Sequence, residues 1–224
     1  MKKEEYARIE SFMLGAMKDS AHDPWHVYRV LWLAIEIAQE EEGVDTDILI
    51  AACLLHDVGR EAQLRNPELC HAAEGAGIAF DFLLKTGWEE ERARSVADCV
   101  ASHRYRSGNP PGSVEARILF DADKLDVTGA MGIARTLVYA GRTDVPIYSA
   151  NESGILDGSE ETDSFFREYN HKLRGIYDKF CTKRGGELAA SRKKAAESFV
   201  GALMEEAGLA HQGRALLDGR LKSG

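Results

Sequence analysis

Residues 46–60 read TDILIAACLLHDVGR. The run from Ile48 to Leu55 is apolar throughout, reads as helix over about 46–57, and is stopped by Gly59. His56 and Asp57 close the run, so they occupy the last helical turn, near a cavity mouth. An unpaired carboxylate beside such a run is costly, and a metal ion is its usual partner. An adjacent His-Asp pair can serve one ion from a single turn, because imidazole nitrogen and carboxylate oxygen suit Zn, Mn, Fe or Mg.

Working outward, nearly every segment has helical period. Residues 3–18 place Tyr6, Ile9, Phe12, Met13 and Met17 on one face. Asp23 caps a helix that begins at Pro24 and runs to about Glu42, where Gly43 stops it. Further helices are predicted at about 70–86, 88–105, 114–140, 163–181 and 186–208. No stretch sustains strand alternation, so the expected fold class is all-α. Loops are expected at 60–69, 106–113 and 141–162, the last long enough to form a lid or a plain surface excursion. One domain is expected over 1–210, with a polar tail at 211–224.

The chain has 224 residues, 44% of them hydrophobic, and a formal charge of −9. That charge argues against broad binding of polymeric nucleic acid but leaves room for a small anionic substrate. The N-terminal MKKEEYARIE is charged rather than apolar, and no apolar stretch approaches the ~20 residues of a membrane span. A cytoplasmic location without membrane association is expected. Cys53, Cys70, Cys99 and Cys181 form no CxxC pair, and Cys53 and Cys99 read as buried free thiols.

Other candidates lie at a distance from His56-Asp57. His26 stands one turn into its helix, beside Trp25 and Val27. Within the preceding His22-Asp23 dipeptide, Asp23 is explained as the cap, which leaves His22 behind the ligands or in contact with substrate. Downstream, ILFDADKLDVTGAMG carries Asp121, Asp123 and Asp126. At ~100° per residue their separations are roughly 200°, 300° and 140° around a helix, so they cannot all face one ion, and spacing alone does not choose among them. Arg60 can fork onto a phosphate or pair with a neighbour, and Lys124 and Asp126 are candidates for substrate contact or for pairing on the helix surface.

SAHDPWHVYRV, LLHDVGRE, HAAEGAGIA, the segment ending in His103, and DADKLDVTGAMGIAR occur in an order and at spacings that resemble the HD-domain superfamily of metal-dependent phosphohydrolases. The stretch from Phe166 to Arg192 also resembles a bacterial and archaeal subgroup of predicted HD hydrolases. The resemblance implies a single HD-domain helical bundle with the metal site between helices. It implies His26, His56, Asp57 and Asp123 as ligands, selecting the second aspartate of DAD. It also makes His71 and His103 either ligands of a second ion bridged by Asp57, or groups that orient water and protonate a leaving group. Arg104 stands where the two-metal branch would carry a further histidine. Arg60 replaces the acid expected of 5′-nucleotidases, and GAGIA at 75–79 reads as small residues that let helices pack closely.

The implied activity is hydrolysis of a phosphate ester or anhydride by metal-activated water, with a nucleoside triphosphate cut to pyrophosphate as the first substrate expectation. The alternatives are a phosphodiesterase with a binuclear site and a metal-dependent ligand sensor. Asp57, His71 and His103 are the expected catalytic groups, and Arg60, Lys124, Asp126 and His22 the substrate contacts. The cofactor is a divalent ion (Mn, Fe, Ni, Zn or Mg), with Mn or another transition metal favoured. A small phosphorylated molecule, a nucleotide first, is the expected partner, together with a second copy of the chain as a homodimer.

Overall fold

The computed structural model describes residues 1–17, 24–104, 108–150, 156 and 162–221. Among them there is no strand, and the fold class is all-α. No described helix is long and apolar enough to cross a membrane. Asp23, the expected helix cap, lies outside the described residues, as do 151–155 and 157–161 of the expected lid.

The chain divides into two compact units. The first comprises Met1–Asp126 and Phe180–Glu187. It contains α1 (Lys3–Ala16), α2 (Pro24–Ala38), α3 (Thr46–Leu55), α4 (Arg60–Arg65), α5 (His71–Lys85), α6 (Glu90–Ser102) and α7 (Val114–Leu125). Helix α3 buries Ile48, Leu49 and every residue from Ala51 to Leu55. A helix apolar on nearly all sides must be surrounded, and α3 packs against α1, α2, α6 and α7. Burying each leucine fully is worth about 1.5–3 kcal/mol. The Asp45 carboxylate starts α3 by accepting from Asp47 N (3.0 Å) and Ile48 N (3.1 Å).

Four expectations about helices are corrected. Residues 60–65 form α4 rather than a loop. The helix predicted over 114–140 is broken into α7 and α8 (Gly129–Arg142), where Gly129 adopts φ +63° and a side chain at Gly132 would collide with the Val127 backbone. The glycines permit a tight reversal that the apolar period conceals. The helix predicted over 163–181 is only α9 (Phe165–Glu168) followed by a π-helical turn, Tyr169–Leu173.

Helix α10 (Lys183–Leu221) begins earlier and continues later than expected. Its start is fastened to α7 inside the first unit. Asp121 accepts from Cys181 N (2.8 Å), Thr182 N (2.7 Å) and Thr182 Oγ1 (2.6 Å). A Cβ at Gly185 would come within 2.5 Å of the Asp121 carboxylate, so glycine makes room for the latch.

The second unit comprises Val127–Lys179 and the chain from Leu188 on. Ile133 of α8, Phe165 and Phe166 of α9, Tyr169 and Leu173 of the π-turn, and Ala196 and Val200 of α10 form its core. The Tyr177 hydroxyl accepts from Gly129 N at 3.1 Å and so helps to start α8.

The close approach of the turn after α3 to the start of α5 positions the site. A Cβ at Gly59 would overlap the His71 carbonyl and lie 2.5 Å from Gly75 N. Gly75 of the GAGIA stretch is the reciprocal contact, whereas Gly77 meets nothing within 4 Å. Gly59→Ala is therefore expected to destabilise the protein by about 1–3 kcal/mol in urea unfolding, and unchanged stability would refute this packing.

Candidate metal centre

Helix ends and turns bring six predicted residues together. His26 comes from the first turn of α2, and His56 and Asp57 from the turn that follows α3. His71 opens α5, His103 follows α6, and Asp123 lies near the end of α7. Two trios each present one ligand atom per residue within 4.8 Å of one another: His26, His56 and Asp123, and Asp57, His71 and His103. Asp57 lies between the trios. Its Oδ2 is 3.6 Å from Nε2 of both His26 and His56. Its Oδ1 is 3.5 Å from His71 Nε2 and 3.7 Å from His103 Nε2. His56, Asp57, His71 and His103 side chains are fully enclosed, while Asp123 is 25% exposed and marks the side open to solvent.

What each imidazole does at Nδ1 fixes what it offers at Nε2. His56 Nδ1 donates to the Cys53 carbonyl (2.8 Å) and His103 Nδ1 to the Val100 carbonyl (2.6 Å). Both acceptors sit three residues back in the same helix. His71 Nδ1 meets Gln63 Oε1 at 2.7 Å. Gln63 donates its amide to the Leu69 carbonyl (3.0 Å), so its oxygen must face His71, and His71 Nδ1 carries the proton. His56, His71 and His103 therefore turn Nε2 lone pairs inward. His71 Nε2, His103 Nε2 and Asp57 Oδ2 are buried with no hydrogen-bond partner. Buried lone pairs facing a carboxylate are hostile to one another and suited to a cation, so the donor set fits a divalent metal ion.

His26 is braced differently. Its Nδ1 lies 2.7 Å from Asp126 Oδ2, and Arg29 forks onto the same carboxylate through Nε (2.7 Å) and Nη2 (3.0 Å). Its Nε2 stands 3.3 Å from Asp123 Oδ1 and 3.3 Å from His56 Nε2. Asp126, expected among the substrate contacts, is buried behind His26. The three acids of the DAD stretch thus face three ways: Asp121 to the start of α10, Asp123 to the histidines, Asp126 to the back of His26. Arg60 donates from Nε to Asp57 Oδ1 at 2.9 Å. Lys124 rests its ammonium 3.6 Å from the Phe120 ring centroid. His22 lies outside the described residues. Sequence reasoning missed Arg29, Gln63 and the two carbonyls. Only Arg29 left a signal, one helical turn beyond His26.

Burial lowers the His56 pKa from 6.5 to about 4, with the Asp57 and Asp123 carboxylates opposing. Burial, then the Arg60 charge, lowers His71 to about 2. Burial acts to raise Asp57, but His56, Arg60, His26 and His103 outweigh it and hold the carboxylate well below its usual range. His56 and His71 are thus preset as neutral imidazoles beside an ionised Asp57 carboxylate. A histidine lowered on folding binds fewer protons in the folded chain than in the unfolded one below about pH 6.5. The stability it contributes is present above that pH and lost as pH falls. The melting temperature of metal-free protein should fall as pH is lowered from 7 toward 4; a flat profile over that window would contradict the assignment of neutral imidazoles.

The family model described as HD domain matches residues 25–128, which include all six ligand candidates. A crystal structure of an HD-superfamily hydrolase from Bacillus thuringiensis is 30% identical, with a TM-score of 0.69, covering 92% of this chain and 98% of that one. The uncharacterized protein YpgQ of Bacillus subtilis is 28% identical over 199 residues, 86% of this chain and 89% of YpgQ. The crystal structure of YpgQ in complex with ADP aligns with a TM-score of 0.69 at 25% identity, covering 90% of this chain and 97% of that one. Because the likeness runs nearly end to end and the converging side chains fall inside the matched segment, the chain belongs to the HD superfamily of hydrolases.

Proposed function

We propose that the protein is a metal-dependent phosphohydrolase with a two-ion centre, acting on a nucleotide. The observation that carries this reading is Asp57, one buried carboxylate with each oxygen facing a different set of imidazoles. His26, His56, Asp57 and Asp123 would hold one ion, and Asp57, His71 and His103 would hold the other. The mixed nitrogen and oxygen donors favour Mn or another transition metal. When bound, such an ion lowers the pKa of a coordinated water and offsets charge on phosphoryl oxygens.

The chain's own residues prepare that chemistry. Asp126 and Arg29 fix the ring plane of His26, and Gln63, Cys53 and Val100 fix those of His71, His56 and His103. Enclosure of the histidines keeps bulk water from competing for their lone pairs. Arg60, 28% exposed beside Asp57, is the proposed contact for a non-bridging phosphoryl oxygen. YpgQ, the relative crystallised with ADP, supports a nucleotide as substrate. Release of pyrophosphate from a nucleoside triphosphate is the first specific activity proposed. The paired trios also favour a second reading, hydrolysis of a phosphodiester. A ligand sensor without turnover is disfavoured by the complete donor set.

Metal-stripped protein resupplied with Mn should release pyrophosphate from nucleoside triphosphates. Asp57→Ala should lose both turnover and bound metal while keeping its far-ultraviolet helicity. Turnover that survives in Asp57→Ala would refute the site, and phosphate release from diesters alone would select the second reading.

A further inference from the structure

Helix α10 outruns the core it packs against. Ala196, Val200 and Ala207 are buried in the core of the second unit, and His211 still meets the Tyr148 ring edge-on. From Gln212 to Leu221 every described side chain is exposed. A helical stretch shorter than about 12 residues is marginal in water without packing, and Gly213 and Gly219 weaken this one further. The stretch is nevertheless rich in apolar surface. Leu209, Leu216, Leu217 and Leu221 are each more than half exposed. At ~100° per residue, Leu209 and Leu216 lie about 160° and about 180° around the helix from Ala207. The leucines therefore stand opposite the face that α10 gives to its own core, and a surface from outside must cover them.

The segment is complementary to itself. Leu209 and Leu217 stand equally far before and after Gly213, and so do Glu206 and Arg220. Glu206, Leu209, Gly213, Leu216, Leu217 and Arg220 fall within an arc of about 100°. Two copies laid antiparallel, crossing at Gly213, set leucine on leucine and acid on arginine, each pair occurring twice by symmetry. A parallel arrangement would set Glu206 on Glu206 and Arg220 on Arg220, so the charges select the antiparallel one. A Cβ at Gly213 would meet nothing within 4 Å inside the chain. The chain's own packing thus does not require glycine there, whereas a crossing does, because it lets two backbones approach closely.

We infer that the end of α10, from Glu206 to Leu221, is a dimerisation element that pairs antiparallel with the same segment of a second copy of the chain. The inference stands apart from the hydrolase reading, since it uses no residue of the metal centre.

Sedimentation velocity of the full chain, from low to high micromolar concentration and at low ionic strength, tests it. Wild type should be dimeric. Leu209→Gln alters a side chain exposed in the single chain, so folding is spared and far-ultraviolet helicity of the core retained. It should raise the dimer Kd about hundred-fold or more, because the loss is met twice across the axis. Leu14→Gln, at an exposed position on α1, should leave association unchanged. Glu206→Arg and Arg220→Glu should each weaken the dimer about five-fold, and the double variant should restore it. A wild type that stays monomeric, or a dimer that Leu209→Gln leaves intact, would overturn the proposal. A double variant no tighter than either single one would overturn the antiparallel crossing at Gly213.

Discussion

One buried carboxylate organises the first unit. Asp57 is enclosed just after α3, a helix apolar on nearly all sides, where an isolated anion would be costly. Five cationic or polarisable neighbours (His26, His56, His71, His103 and Arg60) approach its two oxygens from separate elements. Helices α2, α3, α5 and α6 must therefore present particular ends to one point. The bundle around α3 supplies the frame, and its hydrophobic burial exceeds what any single polar contact there could contribute.

Orientation is decided one layer out. Three of the imidazoles are fixed at Nδ1 by neutral acceptors, and His26 by a carboxylate under an arginine fork. The difference is chemical as well as geometric. A carboxylate partner makes an imidazole a stronger donor of electrons than a carbonyl does, so the His26 side of Asp57 is the more basic of the two. Asp123 and Arg60 mark the solvent-facing side of the cluster.

The helices and the residues that converge at the candidate site were legible in the sequence because both depend on short-range pattern. Apolar period gave α1, α2, α3, α5 and α6 nearly whole, and the resemblance singled out Asp123 from three nearby acids. Interruptions were less legible. The break between α7 and α8 turns on Gly129 and Gly132, whose role depends on how closely Val127 approaches, a contact that apolar period does not encode. Helix α4 is too short for a periodic signal. The supporting partners were hidden for another reason: Asp126 meets His26 across 100 positions of chain, and the Gln63 pairing depends on a turn at Leu69. Asp126 was visible as a candidate, yet nothing local indicated that it would face the back of His26.

The central claim is that Asp57 is shared by two metal ions. Electron paramagnetic resonance of Mn-saturated protein, with the Mn content measured on the same sample, tests it directly. The account predicts two Mn ions per chain and an exchange-coupled spectrum, lost when Asp57 is replaced by alanine. A single equivalent with an uncoupled spectrum, or no bound Mn, would contradict it.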